Sequence, residues 1–135
     1  MKLEIITPFG QVLKTTCDEV VSPGVQGEFG VLEAHIPLLT TVPSGLLWYR
    51  QDGEIKYVAV SNGYAEVATD SILLLVETAE PAESIDQQRA KTNFQRFEQQ
   101  LAVFEGPIDS PERISLHTRY LREQARIEAV DRLKH

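Results

Sequence analysis

The chain is poor in the residues that usually carry chemistry or covalent bracing. Its only cysteine, Cys17, cannot form an internal disulfide, which fits a reducing compartment. The three histidines, His35, His117 and His135, stand far apart and lack the grouped spacing of metal ligands. No apolar run approaches the roughly 20 residues needed to cross a bilayer. Met1-Lys2-Leu3 leads straight into a strand pattern rather than a signal-peptide pattern, so a soluble chain is expected. Positive charge is also short: 13 Lys and Arg against 20 Asp and Glu leave a formal charge of −7. That balance argues against nucleic acid or an anionic lipid surface as the main partner and leaves polypeptides or small ligands.

What is present changes rhythm near Glu83. Before it, Leu3–Thr7, Val12–Thr16, Glu19–Ser22, Leu46–Tyr49, Ile55–Val60, Tyr64–Val67 and Ile72–Val76 are rich in β-branched, aromatic and leucine residues. Pro8-Phe9-Gly10, Ser22-Pro23-Gly24, Pro43-Ser44-Gly45, Gln51-Asp52-Gly53 and Ser61-Asn62-Gly63 divide them, and Asp52-Gly53 and Asn62-Gly63 are dipeptides that hairpins select. The pattern predicts an antiparallel β-sandwich, or flattened barrel, over residues 1–83, with a parallel sheet disfavoured.

After Glu83 the period becomes helical. Ser84 with Gln87 three residues on makes a capping-box pattern, and Ala90, Phe94, Phe97, Leu101 and Phe104 share one helical face up to Gly106-Pro107. Ser110-Pro111 reads as N-cap and first position of a second helix. That helix carries two stripes, Ile114, Leu121 and Ala125 on one and Leu116, Tyr120, Ile127 and Val130 on the other. Two stripes predict two faces to bury, or different faces buried at different times. The fold class is therefore α+β: a sandwich over residues 1–83 followed by a helical hairpin over residues 84–135.

Convergent catalytic groups are not evident. Gly24, Gly27 and Gly30 recur at intervals of three, but no helix follows and no dinucleotide fingerprint is present. Glu28, on a glycine-bounded turn, is either a solvated loop charge or a contact for a cationic or amide-bearing partner. An enzyme on this scaffold would need acid, base or metal groups that the sequence does not group together. A free-standing adaptor that binds protein partners fits the composition.

Three motifs in order narrow the choice. They are Ser22-Pro23-Gly24 with Gly27-Glu28-Phe29-Gly30-Val31-Leu32, His35 and Pro37-Leu38-Leu39-Thr40; then Ala59-Val60-Ser61 with Gly63-Tyr64 and Glu66-Val67; then Ile85-Asp86 with Arg89-Ala90. Together they closely resemble the epsilon subunit of the bacterial and plastid F-type ATP synthase, over nearly the whole chain. Glu33-Ala34 stands where Pro-Gly is common in that family, and Asn62 where a second glycine is common.

The resemblance implies a non-catalytic rotor subunit of the central stalk. Its sandwich would grip the gamma subunit and rest on the c-ring, coupling rotation to proton-driven ATP synthesis. Its helices would brake hydrolysis by extending toward the catalytic alpha/beta hexamer. The implied place is the cytoplasmic face of the bacterial inner membrane, or the plastid thylakoid membrane, reached only indirectly through the c-ring. Glu28 matches the acidic residue that meets the c-ring loops. No cofactor is implied as a requirement, but ATP is implied as a regulatory ligand of the folded hairpin in some relatives. By resemblance its residues here would be Glu80, Ile85, Asp86, Arg89, Ala90, Arg96, Arg122 and Arg126. The same residues have a plainer reading. Asp86 suits the start of a helix, Arg89 can pair with it, and Arg122 and Arg126 share a solvated face.

Overall fold

The computed structural model describes residues 1–32 and 37–134; His35, Glu33-Ala34 and His135 lie outside the described residues. Eight strands come first: β1 (Lys2–Thr7), β2 (Gly10–Thr16), β3 (Glu19–Gly24), β4 (Gly27–Leu32), β5 (Leu38–Val42), β6 (Gly45–Gln51), β7 (Glu54–Val67) and β8 (Ser71–Pro81). They form one continuous sheet in the order β2-β1-β8-β7-β6-β3-β4, with β5 also paired to β7, folded over itself as a sandwich. Among the described residues all strand pairs are antiparallel except one: β1 runs parallel to β8 from Lys2↔Ser71 to Ile6↔Leu75.

The β6–β7 hairpin turns at Asp52-Gly53 as its sequence predicts. Both residues take positive φ, 53° and 80°, which matches the twist of the flanking strands. The other expected hairpin dipeptide does something different. Asn62, at φ 35°, and Gly63 lie inside β7, which pairs with β6 up to Val60 and with β5 from Gly63 onward, while β8 follows both halves. The two halves are successive parts of one bent strand that passes from one layer to the other. Glycine is required there, because a Cβ at Gly63 would stand 1.9 Å from the Leu75 carbonyl oxygen and 2.7 Å from Val76 Cα.

Two further expectations need correction. Ser22-Pro23-Gly24 is strand rather than turn, and β3 reverses at Val25-Gln26. Pro23 is tolerated because β3 pairs with β6 only through Val21, so its missing N–H falls beyond that ladder. Strands β4 and β5 have no counterpart in the sequence reading. Gly27 and Gly30 weaken the strand signal of the first, and the second is a short run between Pro37 and Pro43.

Alternation along the strands builds the core. Leu3 and Ile5 on β1, Val58 and Val60 on β7, and Ile72, Leu74 and Val76 on β8 point inward with Val20 and Leu47. Each fully buried aliphatic side chain contributes about 1.5–3 kcal/mol relative to an exposed one.

A single 3-10 turn (Ala82–Ser84) connects the sandwich to α1 (Gln87–Ala102), and α2 (Pro111–Lys134) returns beside it. The first helix starts later than the capping-box pattern predicts. Ser84 Oγ donates to the Pro81 carbonyl at 2.9 Å within the 3-10 turn, and Ile85 is extended, so the cap passes to Asp86. Asp86 Oδ1 accepts from the Arg89 backbone N–H at 3.1 Å. Gln87, released from capping, donates to the Ile127 carbonyl and to Asp131 Oδ1 and so stitches the start of α1 to the end of α2. The first helix also ends before Gly106-Pro107, and Phe104 lies past it. Ser110 caps α2 as predicted, accepting from the Arg113 N–H at 3.3 Å.

The hairpin has two contact faces. Phe94 of α1 stacks on Tyr120 of α2 with ring centroids 4.6 Å apart. Ala125 and Ala129, one turn apart, lie on the outer face of the sandwich against Leu46, Ala59 and Ala82. The alternation that turns Leu47, Val58 and Val60 into the core thus turns Leu46 and Ala59 outward, under the helix.

Candidate functional site: a cavity between sandwich and hairpin

A cavity of about 290 Å³ opens where the sandwich, the connecting turn and both helices meet. The end of β8 brings Glu80; the connector brings Ser84, Ile85 and Asp86; the first turns of α1 bring Arg89, Ala90 and Asn93; and α2 brings Glu123 and Arg126. The volume is near the lower end of that usual for small-molecule sites.

Arg126 is the electrostatic centre of this wall. Its Nε donates to Glu80 Oε1 at 2.7 Å, its Nη2 approaches the same oxygen at 2.5 Å, and its Nη1 donates to Glu123 Oε1 at 2.5 Å. Glu123 sits one turn before Arg126 on the same helical face, is only 4% exposed, and leaves its buried Oε2 without a hydrogen-bond partner among the described residues. Three carboxylates, Glu80, Asp86 and Glu123, therefore line the cavity against two guanidinium groups, Arg89 and Arg126. Arg89 makes no ion pair among the described residues.

Of the residues that the resemblance marks for ATP, Glu80, Ile85, Asp86, Arg89, Ala90 and Arg126 line this one cavity. Arg96 and Arg122 do not. Arg96 lies with its guanidinium 5.0 Å from the Phe97 ring centroid, and Arg122 reaches Glu77 Oε2 at 3.4 Å with its Nε buried and unpartnered. Sequence reasoning missed Asn93 and Glu123. The signal for Glu123 was its spacing of three from Arg126, which puts a carboxylate beside the guanidinium.

Glu28 is remote from this cavity. It is exposed on β4 opposite Pro23, beside the β3–β4 turn, and shares a shallow depression with Val25, Phe29, Leu38 and Thr40. Val25 and Leu38 are 73% and 41% exposed beside it, so this end of the sandwich presents apolar side chains next to a carboxylate. Large exposed apolar side chains gathered at one end are a common mark of a protein contact.

Nothing in the described structure suggests a nucleophile. Burial pushes the Cys17 thiol up, with the N-terminal ammonium acting in the opposite sense, so the thiolate is disfavoured. Tyr49 is pushed up by burial and by Glu83. Among the described residues no group of three or more His, Cys, Asp or Glu is placed to hold a metal ion. No described helix is long and apolar enough to cross a membrane.

Comparison with known proteins gives a consistent result. The family model for the ATP synthase, Delta/Epsilon chain, beta-sandwich domain matches residues 1–82. An ATP synthase epsilon chain of Syntrophotalea carbinolica is 50% identical over 101 residues, covering 75% of this chain and 73% of the relative. One from Nitratidesulfovibrio vulgaris is 44% identical over 109 residues, covering 81% of each. Among solved structures, a chain of the Euglena gracilis mitochondrial ATP synthase assembly of OSCP, F1 and c-ring superposes with a TM-score of 0.76 at 19% identity, covering 98% of this chain and 80% of that one. A chain of the Tetrahymena thermophila mitochondrial ATP synthase central stalk and c-ring gives 0.56 at 12% identity, covering 100% and 96%. At such identities these two likenesses speak for the fold alone.

Proposed function

The chain belongs to the family of ATP synthase epsilon chains, subunits of the central stalk, and from that premise we propose that it couples the rotor and restrains ATP hydrolysis without catalysing a reaction itself. The sandwich is the coupling part. Its Glu28 carboxylate suits the polar loops of a c-ring below, and the apolar side chains beside it suit a protein face such as that of the gamma subunit. The hairpin is the brake: undocked from the sandwich, it would extend along gamma toward the alpha/beta hexamer and block hydrolysis. The working place is the cytoplasmic face of the membrane, with contact to lipid only through the c-ring.

The observation that carries this reading is the seam under α2. It consists of Ala125 and Ala129 on Leu46, Ala59 and Ala82, with half-buried Tyr57 and Ile85 packed against them and the Arg126–Glu80 and Arg122–Glu77 pairs also joining hairpin to sandwich. Alanine methyl groups bury little area, and partly exposed ion pairs contribute roughly 0–1 kcal/mol. A helix pair held by so little can leave, since its stability depends on the surface it rests on. The free-standing adaptor reading has no observation in its favour once the family is known.

The cavity supports a regulatory role for ATP. It is formed by residues from both sides of the seam, so a ligand held there favours the docked hairpin over the extended one, and only such differential binding shifts the balance. Hydrolysis and proton pumping by the whole complex, with and without the residues after Glu83, test the brake. Truncation is expected to raise hydrolysis severalfold and to leave pumping coupled; unchanged hydrolysis would remove the hairpin from the account.

A further inference from the structure

Arg126 offers its N–H groups as a planar fork that suits phosphate as well as carboxylate. Here every nitrogen of that fork is already engaged: Nε and Nη2 by Glu80, Nη1 by Glu123. The two partners differ in kind. Glu80 belongs to β8 and stays with the sandwich, whereas Glu123 is carried on α2, three residues from Arg126, and travels with it. Glu123 is also the more deeply enclosed, 4% exposed with one carboxylate oxygen unpartnered in the wall of the cavity. A phosphate taking a bidentate grip on Arg126 would have to displace one of these carboxylates and would then lie beside the buried Glu123, anion against anion. The unpartnered oxygen instead suits a hydrogen-bond donor, such as an amino group of a base or a ribose hydroxyl.

We infer that Glu123 is an internal anion that holds Arg126 against phosphate, and so sets which part of a nucleotide the cavity grips. The inference rests on the nucleotide reading above and sharpens it. The nucleoside end is held, while the triphosphate gains nothing from Arg126 and relies on Arg89, the one cavity guanidinium without an ion pair among the described residues. Glu123 is thus a specificity-determining residue, whose carboxylate keeps the place on Arg126 that a phosphate would take.

Calorimetric titration of the full chain with ATP and, separately, with adenosine tests this in Glu123→Gln and Glu123→Leu, the second guarding against a variant that fails to fold. Release of Arg126 should raise the ratio of ATP to adenosine affinity by at least about tenfold in both variants, the worth of one charge-assisted hydrogen bond, with adenosine itself weakened in Glu123→Leu, which lacks the acceptor oxygen. Adding Arg126→Ala to either variant should abolish the gain, whereas Arg126→Ala alone should weaken ATP by less than about threefold because that side chain is already engaged. A ratio of ATP to adenosine affinity that is unchanged in both variants overturns the role of Glu123 while leaving the nucleotide site intact. A loss of about tenfold or more on Arg126→Ala alone also overturns it, and can be read even where neither Glu123 variant folds. Absence of binding of both ligands to every protein at millimolar concentration removes the nucleotide reading and this inference together.

Discussion

Along Val58–Val60 of β7, Val58 and Val60 are buried in the core, while Ala59 between them is buried on the outer face, under α2. The same contrast holds throughout the molecule. The sandwich core is made of leucine, isoleucine and valine from strands distant in sequence, locked by a continuous ladder. The seam below the hairpin is made of alanines, one outward leucine, the half-buried Tyr57 and Ile85, and a few polar pairs. A large aliphatic side chain contributes two or three times the burial of a methyl group, so the two regions differ in strength. Rigidity in one and weak attachment in the other suit a rotor part that transmits torque and a brake that changes position.

The largest effect is expected in the core. Leu74→Ala removes a fully buried side chain and should cost about 2–5 kcal/mol, lowering the denaturant midpoint of the whole chain. If the loss were under 1 kcal/mol, the sandwich would not be the rigid partner. Ala129→Glu places a charge at a fully buried position of the seam and should separate the regions: the hairpin undocks, while the melting of the sandwich shifts little. Proteolysis within α2 reports undocking, and a large fall in the main transition would show that seam and core are one cooperative unit. The smallest effects distinguish two residues at the helix start. Asp86→Ala should cost about 1 kcal/mol through loss of the N-cap, and Ser84→Ala less, since Ser84 bonds only within the 3-10 turn. The reverse order in urea denaturation would return the cap to Ser84.

Much of this contrast could be read from the residues. Alternating strand patterns and Asp52-Gly53 announced the sandwich, and Ser110-Pro111 announced α2, because each rests on chemistry within a few residues. Features that depend on distant partners were not legible. Asn62-Gly63 has the composition of a hairpin and becomes a bend only because β8 runs alongside both halves of β7. Ser84 and Gln87 satisfy a local capping rule, but α2 offers Gln87 better partners. The candidate site divides in the same way. Ile85-Asp86 and Arg89-Ala90 were visible as a motif, whereas Glu123 acquires meaning only when α2 folds back and brings Arg126 to Glu80.

Native-state hydrogen exchange on the intact chain is the most direct test of a strong scaffold carrying a weakly seated arm. The account predicts that amides of α1 and α2 exchange together through an opening several kcal/mol smaller than that required for β7 and β8, in line with the spread between partial and global opening in small domains, and that Ala129→Glu lowers the helical opening alone. Exchange of helices and strands through a single global unfolding, with equal free energies and equal response to Ala129→Glu, would contradict it.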